Sequence, residues 1–188
     1  MGEQGRASKA PQGSPDPSLP SKPTTISTKQ GRMIRAELLG NFAEADRLRD
    51  LLRAENSDLE VLSGAFVAAV RRRFGRIDDL RGITEFVANL GAILGAGVPR
   101  RETEAMVRVV LGEEYLLDSV EPEAAGTAVW AVLLGVVMEL ELSSTDVDSL
   151  ILEAEWYAGM IDQLGALDAL RSASPEMHPA WWRLPHSW

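Results

Sequence analysis

The sequence predicts an all-α protein, a compact bundle of five to seven helices, and three observations lead there. From about residue 33 onward apolar side chains recur at steps of three and four, the period of one helix face. No stretch alternates convincingly with period two, so no strand is expected, and no internal repeat stands out. Helix starts and stops also punctuate the chain at sensible intervals: Ser57-Asp-Leu-Glu60, Gly75, Gly95, Pro99 and Pro122.

Three segments are expected. Residues 1–32 are rich in Pro, Ser, Gly, Thr and Lys and almost free of aliphatic side chains, the composition of a disordered tail. To residue 36 the chain carries six Lys or Arg against two acids, so this tail is mildly basic. Residues 33–171 form the bundle, and residues 172–188 a Pro/Trp-rich C-terminal strap or linear motif.

Within the bundle, Ile34, Leu38, Phe42, Ala45, Leu48 and Leu52 predict one first helix over 33–55, with Glu44–Arg47, Asp46–Arg49 and Asp50–Arg53 paired three apart on its outer face. A second helix opens at the capping box Ser57-x-x-Glu60 and runs to Phe74. A third, from about Asp78, buries Leu80, Ile83, Phe86, Val87, Leu90 and Ile93. The glycines at 95 and 97 end it, and Pro99 suits the first turn of a fourth helix carrying Met106, Val109, Val110 and Leu111. The fifth, from Pro122, is apolar on nearly all sides and is expected at the centre. The sixth starts after SSTD (143–146), with Ser144 or Thr145 as N-cap, and buries Val147, Leu150, Ile151, Ala154, Ala158, Ile161 and Leu164.

Several function classes find little support. There is no cysteine, and the only histidines are His178 and His186 in the tail, so no nucleophile–base pair can be assembled. No enzyme, cofactor or metal centre is expected. The acids Glu139, Glu141, Asp146, Asp148, Glu153 and Glu155 read as a solvated face rather than a metal cluster, since the spacing of a calcium loop is missing. GAILGAG (91–97) follows a helix, not a strand, and lacks the Gly-Lys-Ser/Thr of a phosphate loop. The N-terminus has no apolar signal core, and the longest uncharged run, residues 124–138, falls short of the roughly 20 residues a spanning helix needs. A cytoplasmic setting without a membrane span is the expectation. All three lysines lie before residue 30, and the arginine bias elsewhere, with abundant Ala and Gly, suggests a GC-rich bacterial genome.

Charge is the more informative signal. The chain carries −9 overall, unevenly spread. Residues 71–101 hold seven arginines against three acids, whereas residues 102–170 hold Arg108 alone against fifteen acids. Such asymmetry favours oriented encounter with a charged partner, or contact between copies in a homo-oligomer. Arg71, Arg72, Arg73 and Arg76, joined by Arg100 and Arg101, form a candidate patch for an anionic partner or nucleic acid. The segment from Gly95 can be read as a helix–turn–helix with Arg100, Arg101 and Thr103 at the start of its recognition helix, although Glu102 and Glu104 in the same turn would face phosphates badly. Arginines in the last turn of a helix also complement its dipole without any ligand.

The C-terminus, HPAWWRLPHSW, concentrates three of five tryptophans in its last eight residues. Trp181, Trp182, Arg183 and Trp188 either strap back onto the bundle or dock into another protein, where Trp and Arg dominate contact energetics. The function expected is a non-enzymatic protein–protein interaction or adaptor module with an acidic face and an aromatic tail. A DNA-binding regulator is second. A bundle that binds a small molecule is third, and depends on a pocket.

Overall fold

The computed structural model describes residues 23–55, 60–75 and 80–171, with side-chain surroundings described as far as 160. The described chain is helical throughout, as the sequence predicts: α1 (Lys29–Leu38), α2 (Phe42–Glu55), α3 (Glu60–Arg73), α4 (Leu80–Leu94), α5 (Arg100–Val110), a 3-10 turn η1 (Glu114–Ser119), α6 (Pro122–Glu139) and α7 (Ser144–Arg171). The Ser57 side of the expected capping box, and Ile161 and Leu164 as buried side chains, lie outside what is described.

The predicted first helix is two helices. Gly40 takes a left-handed φ of 73°. Its N–H bonds to Glu37 O at 3.0 Å and the Asn41 N–H to Ala36 O at 2.8 Å, the paired bonds of a Schellman stop. The chain then reverses, and α2 packs back on α1. Phe42, read as part of the apolar stripe, falls at the start of α2 and is 60% exposed. Helix α1 also begins four residues before 33, inside the stretch assigned to the tail. Thr28 caps it, accepting from the Gly31 N–H at 2.8 Å.

Helices α3 and α6 form the centre. Helix α3 makes its most extensive contact with α7 and further contacts with α6, α1 and α5, while α4 and α5 flank α6. Helix α6 buries Ala125, Ala128, Val129, Ala131, Val132, Leu133 and Val136 on several sides, as expected of a central helix. It passes a length-and-composition test for crossing a membrane, yet half of it is buried inside the bundle. Close packing is possible because small residues line the crossings. A Cβ on Gly64 would lie 2.5 Å from the Ala154 carbonyl oxygen, so α3 and α7 touch backbone to backbone there.

Other details differ from the sequence reading by a residue or a face. Ile83, Phe86, Val87 and Leu90 are buried on α4, but Leu80 and Ile93, at its first and last turns, are exposed. On α5 the buried residues are Thr103, Ala105, Met106 and Val107, whereas Val109, Val110 and Leu111 are half-buried. Pro99 occupies the N-cap of α5, one position earlier than expected. The α7 cap is Ser143, not Ser144 or Thr145. Its Oγ and N–H both bond to the Asp146 carboxylate, and the Asp146 N–H returns to Ser143 Oγ, a reciprocal capping box.

Helix α6 ends in the same Schellman geometry as α1, but the left-handed residue is Glu141, at φ 49°. A side chain in that conformation is strained and glycine is not. Glu141→Gly is therefore expected to raise stability by about 0.5–1 kcal/mol, read as a higher urea midpoint at unchanged slope. An unchanged or lower midpoint would contradict this.

Candidate functional site

The three arginines that end α3 lie along the bundle surface against α6 and α7. Arg73 donates from Nε to Glu139 at 2.8 Å and pairs through Nη2 at 2.7 Å. Its guanidinium also lies 4.8 Å from the Phe74 ring centre, and Phe74 meets Phe86 edge to face at 5.3 Å. Arg72 donates to the Asp146 carbonyl at 3.1 Å and lies 3.8 Å from Glu153. Arg71 donates to the Tyr157 hydroxyl at 3.1 Å and sits over its ring. Each basic side chain of RRR thus lies against α6 or α7, and the cluster ties helix ends together.

Arg100 and Arg101 are different. Both are exposed at the start of α5, and neither has an acidic partner among the described residues. Arg100 lies flat against α4, where a Cβ on Gly91 would come within 2.7 Å of its Nε. Thr103, the third residue of the helix–turn–helix reading, does not face outward. It is fully buried, and its hydroxyl donates to the Pro99 carbonyl at 2.7 Å. Arg76 and the tail residues Trp181, Trp182, Arg183 and Trp188 lie outside the described residues.

At the far end of α5, Gly112 reverses the chain with φ 117°, and the Glu113 N–H bonds back to Arg108 O. This brings the Glu113 carboxylate onto Arg108 in a two-pronged pair, with both bonds at 2.7 Å, while the Tyr115 hydroxyl donates to the same carboxylate at 2.6 Å. The hydrogen bonds from Arg108 first, and then from Tyr115, hold the Glu113 carboxyl down at about 2. The hydrogen bond to Glu113, against a smaller opposing pull from Arg108, pushes the Tyr115 phenol up. A carboxylate depressed on folding adds stability above its unfolded value that is lost as pH falls toward the folded one. The stability gap between wild type and Glu113→Gln should therefore be constant above about pH 4.5 and shrink between there and about pH 2. Urea melts at neutral pH and at about pH 3 check this, and a gap that widens on acidification would contradict it.

The acids of the C-terminal half divide into two groups. Glu139, Asp148 and Glu153 hold arginines, with Asp148 taking Arg35 of α1. Glu155, read as part of a solvated face, is only 8% exposed. It accepts from the N–H groups and hydroxyls of Ser27 and Thr28, at 2.7–3.2 Å, and so anchors the start of α1 to α7. In contrast, Glu114, Asp118, Glu121 and Glu123 are exposed along η1 and the first turn of α6, and none has a cationic partner among the described residues. Tyr115, 69% exposed, stands in the same ridge. Among the described residues no group of three or more acidic or histidine side chains is placed to hold a metal ion.

The sequence reading missed Tyr157 and the buried role of Glu155, because both acquire meaning only when α7 is laid on α3 and α1. It found the acidic excess but not its division into paired and unpaired groups. No family model matches the chain, and no curated protein or solved structure matches it.

Proposed function

We propose that this protein is a non-enzymatic interaction or adaptor module of a bacterial cytoplasm that presents an acidic ridge to a basic protein surface. The observation that carries the reading is the fate of the charges. Arg71, Arg72 and Arg73 are engaged by groups of α6 and α7 on the bundle surface, while Glu114, Asp118, Glu121 and Glu123 are exposed with no cationic partner among the described residues. Charges committed within a fold steer little, whereas an unpaired ridge raises encounter rates with an oppositely charged partner. Trp181, Trp182, Arg183 and Trp188 are the proposed anchor that adds affinity once the ridge has oriented the partner. A second copy of the chain is the alternative occupant, with Arg100 and Arg101 facing the ridge.

DNA binding is the second reading. It rests on Arg100 and Arg101 alone among the described residues, beside Glu102 and Glu104 in the same turn. The test is quantitative affinity capture from native cells with wild type, with Glu114→Gln/Asp118→Asn/Glu121→Gln/Glu123→Gln, and with a chain ending at Arg171. The reading expects a protein held by wild type and lost from the ridge variant, with thermal melting of that variant unchanged. A partner retained equally by the ridge variant would refute it.

A further inference from the structure

Between α4, α5 and η1 lies an open cleft of about 590 Å³ whose lining includes Val87, Ala88, Arg100, Arg101, Ala105 and Leu116. That volume falls in the range of small-molecule sites, roughly 300–1,000 Å³. Its walls are apolar where Val87, Ala88, Ala105 and Leu116 meet. Its polar side is cationic in a protein whose net charge is −9. Glu104 is 3.5 Å from Arg108, and Arg108 is further held by Glu113, so these charges are largely satisfied in place. Arg100 and Arg101 are not. Among the described residues their side chains have no hydrogen-bonding or ionic partner, unlike Arg71, which at least has the Tyr157 hydroxyl, and both line this cleft. Gly91 leaves room for the Arg100 guanidinium to lie against α4, so its position is set by packing rather than by an ion pair.

We propose that this cleft binds a small organic monoanion, a carboxylate with an apolar body, whose charged end is taken by Arg100 and Arg101. The planar guanidinium fork matches a carboxylate with two parallel hydrogen bonds. The apolar tail is placed against Val87, Ala105 and Leu116, which a bare inorganic anion would leave unused. The acidic field of the whole chain disfavours multiply charged ligands and leaves a single charge as the best fit. This site goes beyond the proposed partner surface and shares none of the four ridge carboxylates.

The experiment uses the full chain with 1-anilinonaphthalene-8-sulfonate, itself an apolar-bodied monoanion, as fluorescent probe. Octanoate, octanol and inorganic phosphate serve as competitors. The proposal expects probe fluorescence to rise and shift blue, octanoate to displace the probe, and octanol and phosphate to displace it at least about tenfold less well. Arg100→Gln/Arg101→Gln should weaken probe binding about tenfold. Ala88→Trp, a substitution at an exposed helix position that fills the cleft, should block the probe while circular-dichroism melting stays unchanged. No fluorescence rise with wild type, probe binding indifferent to both variants, or octanol competing as well as octanoate would each overturn the proposal. Phosphate competing as well as octanoate would overturn it too, since the apolar walls would then play no part.

Discussion

Gly64→Ala is expected to destabilise the protein by about 3 kcal/mol. The added Cβ would sit 2.5 Å from the Ala154 carbonyl oxygen and 3.1 Å from its carbon, both backbone atoms of α7. Backbone cannot rotate aside, so α3 and α7 must separate along their whole contact, and the gain in helix propensity of roughly 1 kcal/mol does not offset that. Gly135→Ala is the instructive comparison. There the obstruction is the Leu90 Cδ2 at 2.0 Å, the end of a flexible side chain, so the loss should be nearer 1 kcal/mol. Urea unfolding of the two variants checks the ranking, and equal losses would mean the helix backbones are not in contact at Gly64.

Glu155→Ala should cost about 3 kcal/mol and free the start of α1. Its carboxylate accepts from Ser27 N–H and Oγ and from Thr28 N–H and Oγ1. Thr28 Oγ1 in turn caps α1 at Gly31, so one carboxylate holds both the segment and the cap. Removing it leaves part-buried donors at Ser27 and Thr28 without their acceptor, and each such loss costs about 1 kcal/mol. Glu155→Gln keeps one acceptor oxygen and should lose about half as much. Hydrogen exchange localises the effect: the Ser27, Thr28 and Gly31 amides should lose protection while those of α3 keep theirs. Protection retained at Ser27 and Thr28 in the Ala variant would contradict the anchoring role.

The parts of this architecture that were legible are those whose burial follows the helix period. Ile83, Phe86, Val87 and Leu90 on α4 are buried as predicted, and so are Val147, Leu150, Ile151, Ala154 and Ala158 on α7. The break at Gly40 was hidden because Phe42 continues the apolar spacing of α1 across it, so periodicity argued for continuity. The Gly40-Asn41 pair carried the contrary signal, a glycine in the position that ends helices. Likewise Ser143-x-x-Asp146 spells a capping box that places the α7 start one residue earlier than the SSTD motif alone suggested.

The site was less legible, for a different reason. Whether a charge is presented or consumed depends on neighbours far along the chain. Glu155 meets Thr28 across 127 positions, and Arg73 meets Glu139 across 66. Local reasoning counted those arginines as a patch and those acids as a face. Only the packing of α7 and α6 against α3 separates the engaged charges from Arg100, Arg101 and the ridge from Glu114 to Glu123.

The central claim is that most described basic side chains are engaged by partners within the fold while the acidic ridge from Glu114 to Glu123 is presented unpaired. Fluorescence anisotropy tests it most directly, with the full chain titrated against a labelled arginine-rich peptide and, separately, a labelled DNA duplex. The account predicts that the peptide binds, weakens steeply between low salt and about 0.15 M, and is lost from the four-acid ridge variant. It predicts no saturable binding to the duplex at about 0.15 M salt. Saturable duplex binding, abolished by Arg100→Ala/Arg101→Ala and indifferent to the ridge variant, would contradict it and make α5 the interface.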